Sequence, residues 1–402
     1  MTDPLGQSQV LSYLKILSQN EFSFHIVSYE KKDRYSKYKN FVENFIKGYD
    51  IRWHPLPYSN SPPVVSTINN IRKGKKKIKE LIGDHSFKIV HCRGYIASVM
   101  GEWLKKKTGV PFIFDMRGWW PDEKKEAGDW SSWAYKPVYN YFKKRERGFF
   151  HHSDLSISLT DAGKRYITNS NLKAEDKVDV IPTCVNFEVF PPFDPAIRTK
   201  IRESLQLPAN SPVMIYSGSL GGNYRTDLVL KFFKYLLEKR PDSFFLFITH
   251  SSRELVEKEI GDSGIPQERF RQVNVAYTEV SQYLMAGDIG VVMYNLGFSV
   301  IGRSPTKLGE YWASGLKALS VKGIGDLEYL IKKYPGGGAL SETLNSENDL
   351  WHAVEKVLQL PVSKDSLRQF SADYFDLDKG CSKYLDNYRK LIGIMNHNVM
   401  IR

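Results

Sequence analysis

The stretch VMIYSGSLGGNYRTDLVLKFF, residues 213–233, contains the pattern that decides the fold. A short apolar run leads into a loop with Gly218, Gly221 and Gly222, and an amphipathic run begins near Thr226. A buried strand, a tight turn and a helix in this order form the first part of a βαβ unit, which places parallel strands in one sheet. The glycines let the backbone approach a ligand closely, and the helix start offers free N–H groups to a phosphate.

The same alternation of strand-like and helix-like runs continues along the chain. The strand candidates are SFHIVSY, KIVHC, PFIFDM, DLSISLT and KVDVIP in the first half, and VMIYSG, SFFLFIT, RQVNVA, IGVVMY and KALSV in the second. A proline-rich stretch at 191–212 interrupts the pattern and marks a linker. We therefore expect two doubly wound α/β domains, 1–195 and 205–365, followed by a helical segment, 366–402, that runs back onto the first domain.

Composition narrows the class of protein. The 402 residues are too many for one ordinary core, which agrees with two domains. The three cysteines, Cys92, Cys184 and Cys381, are odd in number and far apart, which favours a reducing cytoplasm over a disulfide framework. No cysteine spacing indicates zinc, and no apolar run reaches the roughly 18 residues of a membrane span.

The positive charge is unevenly distributed. The net charge is +12, and residues 1–200 hold 33 Lys and Arg against 22 Asp and Glu, whereas residues 201–402 hold 24 against 23. The excess concentrates in IRKGKKKIKE at 71–80 and KKRERGFF at 143–150, the second of which follows a run rich in Trp and Tyr. This combination suits an anionic membrane surface, with a solvated outer face as the alternative; no nucleic-acid motif accompanies it.

A second candidate site lies in SPTKLGEYWASG, residues 304–315. Ser304, Pro305 and Thr306 form a good helix start, and Lys307 directly behind them is unfavourable for the helix dipole, which points to an anionic partner such as a diphosphate. Glu310 shares a helix face with Lys307 and could accept hydrogen bonds from sugar or ribose hydroxyls. The alternative is an ordinary surface pair of Lys and Glu.

Polar side chains also gather where two first-domain strands end, in VHCRGY and in FDMRGWWPDEKKEAGDW. Loops at strand ends commonly carry function. The alternative is that the tryptophans are core and the charges only face solvent. The candidates for this edge are His91, Arg93, Asp115, Arg117, Asp122 and Glu123.

Several of these segments, in this order, resemble the retaining GT-B glycosyltransferases of family 4. The segments are TDPLGQSQVLSYLKILS, VHCRGY, FIFDMRGWWPDE, VIPTCVNFEVF, YSGSLGGNY and SPTKLGEYWASG. The resemblance implies two Rossmann-like domains that face each other across a cleft. The second domain would bind a nucleotide-diphosphate sugar, and the first domain would bind the acceptor. The resemblance also implies that the sugar is transferred with retention of configuration and that no metal or other cofactor is needed.

The resemblance also implies roles for single residues. Lys307 matches the family's diphosphate-binding lysine, and Glu310 matches the second of two motif glutamates, the one that contacts ribose. The first of these glutamates falls at Gly302, and no catalytic histidine is found at residues 115–117. We assign Lys307, Glu310 and Arg117 as catalytic. The remaining donor-binding candidates are Gly218, Ser219, Gly221, Arg225 and Thr306, and the acceptor-side candidates are Gly6, His91, Arg93, Asp115, Arg117, Asp122 and Glu123.

The expected activity is therefore transfer of a sugar to a glycan or lipid-linked acceptor. The expected setting is biosynthesis of a cell-surface polysaccharide such as lipopolysaccharide, by a cytoplasmic enzyme held peripherally at the inner face of the membrane. Two alternatives stay open. A nucleotide-sugar epimerase of the same fold usually has acid–base carboxylates and histidines around its cleft, and a binding-only relative would lack turnover.

The beginning of the sequence is unusual for this resemblance, because relatives have apolar residues before the segment that matches TDPLGQSQ. We expect that the native chain starts upstream and that the first, central strand of the first domain is missing. Without it, the sheet would contain an unpaired gap.

Overall fold

The computed structural model describes residues 1–221 and 224–393, which contain α-helices and parallel strands in alternation. The strands are β1 Phe24–Glu30, β2 Ile51–Pro57, β3 Val90–Arg93, β4 Phe112–Asp115, β5 Leu155–Ser158, β6 Val178–Val180, β7 Val213–Ser217, β8 Phe244–Ile248, β9 Phe270–Val273, β10 Ile289–Val291, β11 Lys317–Val321 and β12 Gly338–Ser341. Every pairing between them is parallel.

The helices of the first part are α1 Pro4–Gly6, α2 Ser12–Leu17, α3 Lys32–Ile46, α4 Val65–Asp84, α5 Tyr95–Thr108, α6 Trp120–Glu126, α7 Lys136–His152 and α8 Asp161–Asn169. A π-helical turn, Gln7–Leu11, joins α1 to α2 without a break. The helices of the second part are α9 Pro195–Ser204, α10 Thr226–Lys239, α11 Arg253–Ser263, α12 Val280–Met285, α13 Thr306–Ala313, α14 Leu327–Lys333, α15 Glu347–Gln359, α16 Lys364–Phe375 and α17 Leu377–Leu391.

The second domain contains one six-stranded sheet in the order β12-β11-β10-β7-β8-β9. Counted from its first strand, β7, this is the 3-2-1-4-5-6 order of a doubly wound domain, in which ligands bind at the carboxyl ends of the central strands. Strands such as FFLFI in β8 are buried on both faces, as a parallel sheet covered by helices requires. The prediction of a doubly wound α/β domain is confirmed.

The first domain is divided between two sheets. One has the two strands β1 and β2, and the other has the order β3-β4-β5-β6. Among the described strands, β1 and β3 each have a pairing partner on one side only.

The sequence pattern missed two strands. The strand β2, IRWHPLP, contains charged and proline residues and lies at a sheet edge, where proline is tolerated. The strand β12, GALS, is short, follows a glycine-rich turn and also lies at an edge. Both therefore lack the apolar or alternating signal that identifies an interior strand.

The segment after the first domain does not run as an extended linker. Its helix α9 packs on the second domain, where Arg198 and Arg202 both donate to Asp288 at 2.8 and 2.9 Å. The chain returns at the end, because α16 packs on α13 and α17 packs on α2 of the first domain. No helix of residues 1–221 and 224–393 is both long and apolar enough to cross a membrane.

The two domains touch through specific hydrogen bonds. The carboxylate of Asp326 accepts from the backbone N–H groups of Asp161 and Ala162, at 2.7 and 2.9 Å, at the start of α8. The hydroxyl of Thr183 donates to the carbonyl of Ser304 at 2.7 Å. These contacts bring the loop before α13 against the carboxyl edge of the first domain, so side chains of both domains meet there.

Candidate functional site

The structure brings together the glycine loop after β7 and the start of α13. The Lys307 ammonium donates to the Tyr216 hydroxyl at 3.3 Å, and this hydroxyl donates to the Ser219 carbonyl at 2.8 Å. Gly218 has φ +132°, and a Cβ at Gly218 would lie 2.9 Å from Lys307 Nζ. A side chain at that position would therefore displace the ammonium. Thr306, the first residue of α13, lies half-buried beside it.

Three tyrosine rings surround the Lys307 ammonium. The centroids of Tyr216, Tyr224 and Tyr294 lie 4.4, 4.1 and 5.8 Å from Nζ, within the range of cation–π attraction. Lys307 and Glu310 do not form a direct ion pair within the described part of the chain. The buried ammonium of Lys307 is thus held by three tyrosine rings, one hydroxyl and the glycine loop. Among the described residues, no carboxylate contacts it.

Burial shifts the pKa values of two side chains of α13, Lys307 and Glu310. Burial and, to a smaller extent, the charge of Arg303 lower the pKa of Lys307 to about 7, against the attraction of Glu310. Burial raises the pKa of Glu310 to about 7, against the attraction of Lys307. Loss of solvation outweighs mutual attraction in both groups, so an anionic ligand would favour the charged lysine.

Arg303 is a site residue that the sequence analysis missed. Its guanidinium lies 4.9 Å from the Tyr294 ring centroid and pairs with Glu123 of the first domain at 3.3 Å. The position directly before SPTKLGE was the available signal. The sequence signal for the three tyrosines was weaker. Only Tyr216 stands out, as an aromatic residue in the otherwise aliphatic strand β7.

The predicted donor-side cation Arg225 pairs with a carboxylate of its own helix start. It caps α10, and its guanidinium makes two hydrogen bonds to Asp227, at 2.8 and 2.6 Å, on the exposed start of that helix. Gly221 has φ +76°, which favours glycine, and no atom of the described residues lies within 4 Å of its Cβ position. Gly222 lies outside the described residues.

The space beside Gly302, where the resemblance would place a glutamate side chain, is occupied by residues of the first domain. A Cβ on Gly302 would lie 2.8 Å from Cδ1 and 3.0 Å from Nε1 of Trp119, and 3.4 Å from Cα of Gly118. Trp119 is fully buried, and its Nε1–H has no hydrogen-bond partner in the described part of the chain. The space that a longer side chain needs is therefore occupied by an indole with a free donor.

At the carboxyl ends of β3 and β4, four predicted residues form one network around Asp115. Burial alone raises the pKa of this carboxyl, but the charges of Arg117 and Arg93 and the hydrogen bond from His91 hold it below its ordinary value. His91 also contacts the Tyr388 hydroxyl of α17 at 2.7 Å, and Arg93 donates to the carbonyl of Gln9. His91 and Arg93 thus anchor α17 and the N-terminal turn.

Arg117 has the strained backbone of the group. Its φ of 57° is rare for a residue with a side chain, and such strain persists only where the surroundings impose it. Gly6, an acceptor-side candidate, lies in α1, and a Cβ added there would lie 2.9 Å from Cα of Met1.

The two acidic residues of α6 differ in their contacts. Asp122 accepts from the Tyr139 hydroxyl at 2.8 Å and from Lys143 at 2.9 Å, so it ties α6 to α7. Glu123 instead reaches across the cleft to Arg303. Burial raises the pKa of Glu123, against the charge of Arg303. Of the two, Glu123 is the one that faces the donor-side cations.

Comparison with known proteins agrees with this architecture. Residues 8–189 match the family model described as Glycosyltransferase Family 4. A search of curated proteins found no match. Three solved structures superpose over nearly the whole chain: sucrose-phosphate synthase from Thermosynechococcus elongatus, HepE from Anabaena in complex with UDP and glucose, and a putative UDP-N-acetylglucosamine 2-epimerase from Listeria monocytogenes.

The three solved structures resemble this chain to a similar degree. Their sequence identities are 13%, 12% and 12%, and their TM-scores are 0.66, 0.64 and 0.60. The alignments cover 93%, 91% and 98% of this chain and 100%, 99% and 96% of the others. At such low identity the solved structures show the fold, and the family match indicates the class of enzyme. The chain therefore has the GT-B fold, and residues 8–189 of its first domain match the model of glycosyltransferase family 4.

Proposed function

We propose that the protein transfers a sugar from a nucleotide-diphosphate sugar to a glycan or lipid-linked acceptor, with retention of configuration. One observation carries the proposal: a buried lysine ammonium at the start of α13, held by three tyrosine rings against Gly218 and without an ion-pair partner among residues 1–221 and 224–393. A buried, uncompensated charge destabilises the folded protein, and a bound diphosphate would neutralise it. The UDP found in HepE makes a uridine nucleotide the first choice.

In this proposal the protein contributes charge and orientation. The acceptor oxygen attacks the anomeric carbon on the face that the diphosphate leaves, the bond from this carbon to the phosphate oxygen breaks, and the acceptor proton passes to that oxygen. Lys307 and Arg303 stabilise the negative charge that develops on the leaving diphosphate. Glu310, whose raised pKa keeps a proton available near neutrality, binds a ribose hydroxyl.

Residues of the first domain would orient the acceptor and the sugar. The candidates from the predicted set are Arg117, which has a strained backbone, and Glu123, which pairs with Arg303 across the cleft. The free Nε1–H of Trp119 is a candidate donor to a hydroxyl of the transferred sugar, in place of the glutamate missing at Gly302. The proposed setting is cell-surface polysaccharide biosynthesis.

Thermal denaturation with a panel of UDP, GDP and their sugars tests the donor class. We expect UDP to raise the melting temperature, because a ligand that binds only the folded state stabilises it by about 2.7 kcal/mol at 100 times its Kd. If no nucleotide in the panel changes the melting temperature at millimolar concentration, the donor proposal is wrong.

A product assay with UDP-sugars distinguishes the three candidate functions. Released UDP together with a glycoside product indicates transfer, and an epimerised UDP-sugar indicates an epimerase. Binding without turnover indicates the binding-only alternative.

We further propose that the first domain binds an anionic membrane through a basic layer, formed by the outer faces of α4, α5 and α7. These three helices hold 14 Lys and Arg against 4 Asp and Glu. Lys75, Lys79 and Lys107 lie 5.3, 6.0 and 5.9 Å from the Trp103 ring centroid. Trp133, in the turn before α7, is 87% exposed. Clustered ammonium groups beside exposed aromatic rings favour an interface with anionic lipid.

Co-sedimentation with vesicles checks the basic layer. The double variant Lys75→Glu/Lys79→Glu should bind vesicles of phosphatidylglycerol and phosphatidylcholine at least about tenfold more weakly, because each basic residue near such a surface contributes about 1 kcal/mol. The matched control, Lys234→Glu/Lys258→Glu, makes the same charge change on exposed helices of the second domain. Equal weakening by both variants, or equal binding to vesicles without anionic lipid, would contradict the assignment.

A further inference from the structure

An excess of positive charge lies at the carboxyl end of β4, where Arg117 follows Asp115. Three side chains contact Oδ2 of the buried Asp115 carboxylate: His91 at 3.4 Å, Arg93 at 3.6 Å and Tyr384 at 3.1 Å. Arg117 acts on this carboxylate through its charge, and its guanidinium has no hydrogen bond or ion pair within the described residues. Because Arg93 already pairs with Asp115, the charge of Arg117 is the one left over.

The surroundings of Arg117 place its guanidinium among three separate parts of the chain. The residue is half-buried. Burial raises the pKa values of Tyr13, Cys184 and Tyr384, and the charge of Arg117 opposes this rise in all three. These three residues pack in one cluster and belong to α2, to the segment after β6 and to α17. The guanidinium therefore lies near the point where these elements meet.

This position is separate from the lysine of the donor site. Within the described chain, the basic residue whose charge acts on Lys307 is Arg303, of the second domain. Arg117 is linked to the domain contact by its neighbour Gly118, whose Cα lies 3.4 Å from the Cβ position of Gly302. An anion held by Arg117 would therefore lie on the first-domain side of the cleft, apart from a diphosphate at Lys307.

Two buried oxygen atoms in the same neighbourhood lack a hydrogen-bond donor within residues 1–221 and 224–393: Oε1 of Gln9 and Oδ1 of Asp115. Gln9 is 4% exposed, and its Nε2 donates to the carbonyl of Cys184 at 3.2 Å, so Gln9 and Arg117 share a neighbour. Buried acceptors without a partner are uncommon and need an explanation. Hydroxyl groups of a bound sugar are donors that can supply the missing hydrogen bonds.

The backbone holds Arg117 in an unfavourable conformation. Arg117 and Gly118 have φ values of 57° and 111°, so two successive residues lie at positive φ after β4. Glycine and asparagine adopt such values with less strain than arginine does. An arginine at this position therefore indicates that its side chain has a role that outweighs the strain.

We propose that Arg117 binds an anionic group of the acceptor, a phosphate or a carboxylate, with the two parallel N–H groups of its guanidinium. The acceptor is then an acidic sugar or a sugar phosphate, and Gln9 and Asp115 accept hydrogen bonds from its hydroxyls. The planar guanidinium fits the oxygen atoms of either anion. The inference rests on the proposed function, because it places the acceptor on the first domain. The alternative is that Arg117 only offsets the charge of Asp115.

Titration calorimetry with three small probes tests the proposal. The probes are glucose, glucose 6-phosphate and glucuronate, each added to the full chain in the presence of saturating UDP. We expect at least one of the two anions to bind at least about tenfold more tightly than glucose, because hydrogen bonds between charged groups are the stronger ones. Tighter binding of glucose 6-phosphate identifies phosphate as the recognised group, and tighter binding of glucuronate identifies carboxylate.

Variants at residue 117 separate recognition of the anion from support of Asp115. Arg117→Asn suits the positive φ and should abolish the preference for the anion over glucose. Arg117→Lys keeps a charge beside Asp115 but loses the paired N–H groups, so it should retain only part of the preference. The matched control, Arg165→Asn, removes an exposed charge on α8 and should retain all of it.

Equal binding of glucose and both anions by the unmodified protein, or no binding of any probe at millimolar concentration, overturns the proposal. An undiminished preference in Arg117→Asn also overturns it, and lower stability of that variant would then show that Arg117 only offsets the charge of Asp115. Arg117→Lys gives the same decision if the asparagine variant does not fold. Repeating the titration with Lys307→Met and without UDP removes the donor site from the measurement, so the two proposals can fail separately.

Discussion

Lys307→Met is expected to reduce sugar transfer or donor hydrolysis about 10²- to 10³-fold, the usual effect of removing one preorganised donor from a developing negative charge. The affinity for UDP should fall about 10- to 100-fold, because a charge-assisted hydrogen bond contributes roughly 1.5–3 kcal/mol. Methionine keeps much of the lysine's apolar length against Tyr216 and Tyr224, so the packing of the rings is retained. Titration calorimetry with UDP and a hydrolysis assay measure the two effects.

Stability separates loss of function from loss of folding in this variant. Since replacing a buried ionic group with an apolar side chain is often neutral or stabilising, the melting temperature should not fall. Lys231→Met is the matched control, because Lys231 lies on the exposed face of α10 and pairs only with Glu347 in the described structure. A Lys307→Met protein that binds UDP like the Lys231→Met protein would refute the site.

The pH dependence of UDP binding gives a second readout of the same prediction. Burial lowers the pKa of Lys307 to about 7, so the free protein loses the ammonium proton as the pH rises through that value. A bound diphosphate favours the charged form, so binding takes up a proton above about pH 7 and the affinity should fall from pH 7 to 9. In Lys307→Met this part of the pH dependence should be absent.

Gly302→Glu, which introduces the carboxylate of the family motif, is expected to lower both stability and donor binding. Its Cβ would lie 2.8 Å from Trp119 Cδ1 and 3.0 Å from Nε1, and the residue is buried where the domains meet. Overpacking alone destabilises by about 1–3 kcal/mol, and an unpaired buried carboxylate adds to it. We expect a loss of about 3 kcal/mol or more in the free energy of unfolding, measured by urea denaturation.

Two companion variants make the Gly302 result specific. Gly83→Glu introduces the same side chain at a glycine of α4 with nothing within 4 Å of its Cβ position, and it should change stability little. Trp119→Ala combined with Gly302→Glu should recover part of the stability, since the indole is the obstacle. A Gly302→Glu protein as stable as Gly83→Glu would show that Trp119 does not fill this position.

The division of the first sheet could be predicted only in part from the sequence. The sequence predicted the parallel strands of this domain other than β2, but not their division into a sheet of two strands and a sheet of four. This division and the contact of Met1 with Glu30 depend on how helices from both ends of the chain cover the sheets.

The sequence by itself determined the parallel α/β architecture and the start of α13. Ten of the twelve strands in the described residues were readable because apolar runs, glycine turns and helix caps act over a few neighbouring residues. The same local signals identified Lys307 and Glu310 as neighbours on one helix face.

The tertiary structure decided which groups meet Lys307. The tyrosine rings, the pairing of Arg303 with Glu123 and the indole against Gly302 join segments far apart in the chain. Arg225, close to the glycine loop in sequence, pairs instead with Asp227. Short-range patterns carry no information on such contacts, because packing between distant segments of the second domain sets the distances to the tyrosine rings, and contact between the two domains sets the others.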